Sequence, residues 1–498
     1  MRKRVSSVIT IEDIKNWKEG DTITITAGTG AGKSYFIKNN LYALAKKDNS
    51  KILMLIHRNN CVNQFQQEIE RDKKTDVIEI RTYQNLEYKE LKKFENDLSQ
   101  YKYIVCDEFH YFMSDARFNH TTDMSLNIIL KQSKSIKIFM SATADLVRCY
   151  IKKVKGIDTI DYSVPTSHRH IRSLNFFNED STLEQLIKDS IDTNSKCIVF
   201  VESAKKAYEL YEKFKNNSIF NCSKHNQDYY KYVNEELINS ILEKERFESN
   251  ILITTTCFDA GVNIIDDDLT NIICDVTDID VLVQCVGRKR IQKETDRINL
   301  YIKNISYNKL KGMKTQNKDK IEMADYLRQH TVREFLEKYP KQYDRNKIVY
   351  DEVTDEDNKS TKVVNELMYF KCKYDLMNID KMFRNSYAWL VAFNLAFVYK
   401  NITILEDVKK EDELKEYLNS IVNERLYKDK QTELINTIGI KDARGRLQKG
   451  IKQINAYLQE NKYGLIVCAN RDKRKKLEDG TDNPNRDKTY WTIIEGTL

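Results

Sequence analysis

The sequence lacks the features that would assign it at once to several broad classes. It has three prolines in 498 residues, and no internal repeat or low-complexity tract, so repeat arrays and proline-rich linkers are excluded. Its ten cysteines are scattered singly, with no CxxC pair and no Cys/His spacing suited to zinc. Several sit in apolar strand-like runs: Cys106 in YIVCDEFH, Cys197 in KCIVFVES, Cys274 in NIICDV. They read as buried, reduced thiols of a cytoplasmic protein. The stretch MRKRVSSVITIEDIKNW is charged and has no apolar h-region, so no secretory signal is expected. There is no long hydrophobic run either. The most apolar stretch, YAWLVAFNLAFVY at 387–399, is too short to cross a bilayer and reads as a buried core helix. No membrane partner and no zinc are expected.

What is present is an ordinary globular balance, 32% charged and 41% hydrophobic, in a length that suggests about three domains. The net charge of +7 permits a nucleic-acid partner without requiring one. Between residues 21 and 145, the short β-branched runs TITITA, KILMLIH, DVIEIRT, YIVCDE and IKIFMSAT alternate with charged helical stretches. That rhythm predicts βαβ units and a parallel sheet. A second series follows: KCIVFVES, NILITTT, TNIICDV and RINLYIKN. Pro165, in DYSVPTSHRH, marks the joint between the two. The expected boundaries are 1–163, 164–308, a mostly helical region 309–430 and a tail 431–498. In the tail, QTELINTI and RLQKGIKQINAYLQENK read as helices. GLIVCA and TYWTII flank the basic stretch NRDKRKKLEDGTDNPNRDK. Two helices and a hairpin with a basic tip suggest a winged helix; a small α+β cap with a solvated loop is the alternative.

The chemistry starts at Ala27-Gly28-Thr29-Gly30-Ala31-Gly32-Lys33-Ser34, between a strand and a helix. The pattern is that of a phosphate-binding loop, with alanine in the first glycine place. Its glycines turn backbone N–H groups toward phosphate oxygens, Lys33 reaches the β/γ-phosphates, and the Ser34 hydroxyl can hold Mg²⁺. YIVCDEFH supplies what such a loop needs next: Asp107 for the metal and Glu108 to orient and deprotonate water, with His110 two residues on. ATP and Mg²⁺ are therefore the expected cofactors.

AGTGAGKS, DEFH and Ser141-Ala142-Thr143, in this order, resemble the first three motifs of superfamily 2 helicases, on the DEAD/DEAH (DExH) side. The second half is similar too. ILITTTCFDAGVNI carries Thr255, Asp259, Gly261 and Asn263 at the places of the fifth motif, and QCVGRKR resembles the sixth. LIHRNN, RTYQNL and CIVFVES are weaker matches for the strand-contacting motifs. The resemblance covers about residues 20–305. It implies two tandem RecA-like parallel-sheet domains with ATP in the cleft between them. Gln284, Arg288 and Arg290 would face the γ-phosphate from the second lobe, with Gly261 and Asn263 at the nucleotide and Ser141, Ala142 and Thr143 coupling the lobes. Nucleic acid, DNA ahead of RNA, would contact Arg58, Thr82 and Thr255, and in the tail Arg471, Lys473 and Arg474. The spacing Gln284, Gly287, Arg288, Arg290 departs from the common form, where the second arginine stands one place later. This shorter form is similar to that of some viral and mobile-element helicases, and it leaves open which arginine meets the γ-phosphate.

The resemblance thus implies an ATP-dependent helicase or translocase, with replication or defence proteins as partners. An ATP-driven switch that remodels a partner complex without unwinding is the alternative. A DNA-binding regulator with a dead motor is disfavoured by the intact Lys33, Asp107, Glu108 and Arg288, and a kinase by DEFH, SAT and QCVGRKR together. His168 and His170 lack further ligands nearby in sequence. Tyr229, Tyr230 and Tyr232 read as a packed helix face rather than a base-stacking one. Asp351 and Glu352 lack the further pattern of a nuclease.

Overall fold

The computed structural model describes residues 4–28, 30–57, 59–94, 96–114, 121–164, 168–256, 263–293, 295–340, 348–353, 360–442 and 444–496. Pro165, the expected joint, lies outside them. The chain forms two compact units, Met1–Ile402 and Thr403–Leu498.

The first unit contains two parallel sheets. β1 (Thr22–Ala27), β2 (Lys51–Ile56), β3 (Ile78–Thr82), β4 (Tyr101–Asp107), β5 (Ile136–Ser141) and β6 (Ile160–Val164) lie in the order β3-β2-β4-β5-β1-β6. β7 (Ile171–Phe177), β8 (Lys196–Val201), β9 (Ser218–Asn221), β10 (Ile251–Thr255), β11 (Leu269–Asp275) and β12 (Ile298–Lys303) form the second, in the order β7-β12-β11-β8-β10-β9. All these pairings are parallel. The near-continuous apolar runs that predicted strands follow from this, since a parallel strand covered on both faces has no solvent side to alternate toward. β5 is buried at every position. Cys106, Cys197 and Cys274 are fully buried within their strands. The two sheets are the RecA-like pair expected.

Register positions the chemistry. β5 lies between β4 and β1, with Asp107 opposite Met140 and Thr26 opposite Ser141. The carboxyl ends of three adjacent strands therefore bring the phosphate loop, the Asp-Glu pair and Ser141 side by side. That crevice is where open parallel sheets take ligands.

The helical region is built onto the lobes. Tyr307–Gln329, Val332–Lys338 and Glu366–Asn385 are helices, with a hairpin of Val349–Val353 and Ser360–Val364 before the last. Met323, Phe335, Leu367, Met368 and Cys372 share one apolar core with Phe109, Phe112, Leu126 and Val147 of the first lobe. Asp351 pairs with Lys362 across the hairpin at 2.5 Å. The apolar 387–399 run departs from the buried helix expected. Only Tyr387–Asn394 is helical, and Phe393 and Val398 are exposed. Tyr229 and Tyr230 are half-buried, while Tyr232 is exposed and stacks on Tyr208 at 4.3 Å. No described helix is long and apolar enough to cross a membrane.

The second unit runs helix Leu405–Ser420, helix Lys428–Ile438, helix Ile451–Glu460, then the antiparallel strands Leu465–Arg471 and Thr489–Glu495. Residues 422–426, between the first two helices, bond to the last strand: Leu426 and Trp491 exchange both backbone hydrogen bonds, at 2.8 and 2.9 Å. The unit is three helices followed by a β-hairpin, with isolated bridges from Val422 and Leu426 to the last strand. Its core is Leu414, Leu418, Leu426, Leu434, Ile454, Leu458, Val467 and Ile493.

Candidate functional site

The loop after β1 turns on two glycines in the left-handed region, Gly30 at φ 73° and Gly32 at φ 87°. A side chain at either would be strained. Ala27 and Ala31 are buried, Gly28 accepts from the Ala31 N–H at 3.2 Å, and a helix starts at Lys33. Ser34 is exposed at the first turn of that helix. Thr29 lies outside the described residues. Lys33 is buried, and its Nζ donates to the Ala27 carbonyl at 3.2 Å and to Glu108 Oε1 at 3.0 Å.

Asp107 ends β4 and Glu108 follows in a left-handed conformation, φ 47°, uncommon outside glycine. The other Glu108 oxygen lies 3.3 Å from His110 Nδ1. His110 Nδ1 lies 3.0 Å from the Ser141 hydroxyl, which accepts from the Thr143 N–H at 3.1 Å. The Thr143 hydroxyl accepts from Gln284 Nε2 of the second lobe at 3.3 Å. One polar chain thus runs Lys33, Glu108, His110, Ser141, Thr143, Gln284. Ala142 sits half-buried within it.

The two carboxylates are driven apart electrostatically. Burial pushes Asp107 up to about 6, and the adjacent Glu108 charge pushes the same way. Burial also works against ionised Glu108, but the Lys33 charge and the His110 contact outweigh it and hold that carboxyl well below its ordinary range. Asp107 Oδ1 is buried with no hydrogen-bond partner among the described residues. An orphaned hard oxygen beside a glycine-rich phosphate loop fits a Mg²⁺ ion or its water shell.

The second lobe supplies helix Ile279–Val286, capped by Asp278, whose Oδ1 accepts from the Asp280 N–H at 3.0 Å. The two arginines after it part company. Arg288 is buried and its Nε donates to the Gln284 carbonyl at 3.0 Å. Arg290 reaches the phosphate loop: its Nη1 stands 3.6 Å from where a Cβ on Gly30 would be. Arg290 Nε donates to Asn263 Oδ1 at 2.7 Å, and Asn263 Nδ2 donates to Glu245 at 2.9 Å. Asn263 therefore orients Arg290.

Among the candidate nucleic-acid residues, Thr82 uses its hydroxyl to cap helix Tyr83–Leu91, accepting from Asn85 N–H at 3.0 Å. Thr255 is buried at the end of β10. Arg58 and Gly261, with Asp259, lie outside the described residues. Arg471 and Lys473 are exposed, whereas Arg474 is held by Asp472.

Residue-by-residue reading missed Lys371. It is buried in helix Glu366–Asn385 and bonds Asp278 Oδ2 at 3.0 Å and Asp375 Oδ1 at 2.9 Å. Nearby, Tyr387 donates to the Val276 carbonyl at 2.7 Å. A helix sharing the first lobe's core thus grips the cap of the second lobe's Gln284 helix. Nothing local in KCKYDLM signals this.

Residues 4–146 match the family model of the type III restriction enzyme res subunit, and residues 178–292 that of the helicase conserved C-terminal domain. The chain is 25% identical over 233 residues to the uncharacterized ATP-dependent helicase MJ1574 of Methanocaldococcus jannaschii, a match that covers 44% of this chain and 33% of that protein. The chain thus spans about a third of the length of this relative. Among solved structures it is similar to S. cerevisiae Dbp5 bound to RNA and ADP BeF3, at 18% identity and TM-score 0.43, covering 59% of this chain and 82% of that one. It is also similar to the DEAD-box helicase Mss116 bound to ssRNA and UDP-BeF, at 15% identity and TM-score 0.45, covering 78% and 82%. With the phosphate loop, the Asp-Glu pair and Ser141–Thr143 inside the first domain match and Gln284, Arg288 and Arg290 inside the second, the chain belongs to the superfamily 2 helicases.

Proposed function

We propose that this chain is an ATP-driven nucleic-acid motor, hydrolysing ATP between its two lobes to move along or unwind a strand. The observation that carries the reading is the polar chain from Lys33 to Gln284, with Arg290 facing the same loop from the second lobe. Such a chain lets the state of the phosphate site be felt at the lobe interface.

In this reading the loop N–H groups and Lys33 bind the β- and γ-phosphates. Ser34 and Asp107 would hold Mg²⁺, which when bound neutralises charge on the phosphate oxygens. As Lys33 turns to phosphate it leaves Glu108, whose carboxylate then rises from its depressed range and becomes the better base for the attacking water. Arg290 stabilises the charge that spreads over the transferred phosphoryl group, an effect worth about 10³-fold or more in rate. Thr143 and Gln284 pass the closure between lobes, and the strand lies across both.

The test is ATP hydrolysis by the purified chain, alone and with single-stranded DNA, duplex DNA or single-stranded RNA, paired with a strand-displacement assay. Strong stimulation by a polymer, with displacement, is expected. Turnover that no polymer changes would overturn the motor and leave a partner-remodelling switch.

A further inference from the structure

We propose that the C-terminal unit, Thr403–Leu498, reads duplex DNA, with helix Ile451–Glu460 in the major groove and the loop 472–488 as a wing on the phosphates. This deepens the motor reading by naming its polymer, and rests on that reading for what the contact serves.

The helix has two faces. Ile454 and Leu458 enter the core of the unit, while Lys452, Gln453, Ala456 and Gln459 are exposed, with Glu460 exposed at the helix end. At spacings of three and four residues these four share a stripe. A small residue flanked by glutamines and a lysine makes a shallow polar surface that fits the groove. Glutamine matches adenine there, lysine guanine, and alanine the thymine methyl.

The segment from the turn before this helix to the end of the loop is net basic. Residues 441–488 hold thirteen lysines and arginines against seven acids, whereas the first helix, Leu405–Ser420, holds three against six. The basic stretch contains the turn before the reading helix, with Lys441, Arg444 and Lys449 all exposed, and the start of the wing. This is the electrostatic footprint of a polyanion site.

The wing is also preformed. Asp472 is 2% exposed and gathers donors from four residues, Arg425 among them at 3.5 Å. Tyr427 Oη donates to it at 2.5 Å, Asn483 Nδ2 at 3.1 Å, and Arg474 twice, through Nε at 3.0 Å and Nη2 at 2.8 Å. Its backbone N–H donates to the Lys488 carbonyl at 3.0 Å, closing the loop. Arg474 is thereby committed to the wing's own architecture, and Lys473, Lys475 and Lys476 are left exposed. Asn455 fixes the helix to the hairpin, donating to the Val467 carbonyl at 3.0 Å and accepting from its N–H at 2.8 Å. Helix and wing therefore keep a set spacing without help from a ligand, which lowers the ordering cost of binding. Side chains cannot read the deep, narrow major groove of A-form RNA. A helix built to read base edges there points to B-form DNA.

The test uses the full chain and fluorescence anisotropy with a labelled duplex of about two helical turns, as DNA and as RNA. Duplex DNA should bind at least about tenfold tighter than duplex RNA at the same salt. Lys473→Ala/Lys475→Ala/Lys476→Ala should reduce the slope of log affinity against log salt by about 2 to 3. Lys452→Ala/Gln453→Ala should narrow the preference for DNA over RNA. All five side chains are solvent-exposed, so an unchanged unfolding transition shows that a loss is not misfolding. Equal binding of the two duplexes, or wild-type affinity and salt slope in both variants, overturns the proposal; the second result would make the face a protein-docking surface. ATP turnover by the wild-type chain is scored apart, so its absence would overturn the motor and not the reader.

Discussion

Lys33 Nζ lies 3.0 Å from Glu108 Oε1, so the residue proposed to meet phosphate and the residue proposed to meet water begin as partners of each other. Glu108→Gln cuts that ion pair while keeping its shape. Nucleotide binding should persist, and turnover should fall at least about 100-fold. Lys33→Ala should lose nucleotide binding itself. Titration with a fluorescent nucleotide and phosphate release separate the two outcomes. Wild-type turnover in Glu108→Gln would show that another group activates the water.

Arg290 and Arg288 should fail differently. Arg290→Ala should lower kcat by about 10³-fold with little change in KM, since its guanidinium faces the loop and is proposed to act as charge develops. Arg288→Ala removes a buried group bonded to the Gln284 carbonyl, and should lower the unfolding midpoint as well. If Arg288→Ala alone abolishes kcat in a chain of normal stability, the two roles are exchanged.

Lys371 holds Asp278 and Asp375 in surroundings where its own side chain is 5% exposed. Lys371→Met removes the buried cation that joins two half-buried carboxylates, which costs about 3 kcal/mol. Because Asp278 caps the Gln284 helix, the variant should also lose stimulation by nucleic acid beyond what instability explains. Unfolding curves and polymer-stimulated turnover, read together, check this. A variant of wild-type stability would mean that the pair is solvated in solution.

Asp123 is buried, its Oδ1 lacks a hydrogen-bond partner among the described residues, and burial raises its carboxyl to about 6. A carboxyl raised above its unfolded value near 4 holds its proton in the folded state longer than in the unfolded one. Its contribution to stability is therefore intact at low pH, and is lost as pH rises from about 4 to 6. Asp123→Asn should be neutral near pH 4 and stabilising by about 2 kcal/mol at pH 7. Denaturation at the two pH values measures it. An equal effect at both would show that packing, not ionisation, governs the site.

The tail divides the legible from the hidden at the level of single residues. RDKRKK reads as a basic hairpin tip, and so it is, but its arginines and lysines look interchangeable in one dimension. Arg474 is tied to Asp472, and its neighbours Lys473 and Lys475 are not. The same holds in QCVGRKR, whose spacing leaves the phosphate-facing arginine open. Folding separates the two arginines, because the Ile264 carbonyl accepts from the Arg290 N–H and Asn263 takes its Nε, while Arg288 Nε turns to the Gln284 carbonyl.

The sequence alone determined the two parallel sheets, the order of their chemical loops and the helix-hairpin tail. These depend on local periodicity, strand-end chemistry and turn residues, and each is written within a few neighbouring positions. Only the tertiary structure decided that Arg290 faces the loop, that Asn263 orients it, that Arg474 binds Asp472 and that Lys371 binds the cap of the Gln284 helix. Each of these is a pairing between side chains brought together by folding. The pairings are set by sheet register and helix packing, and carry no periodic signal along the chain.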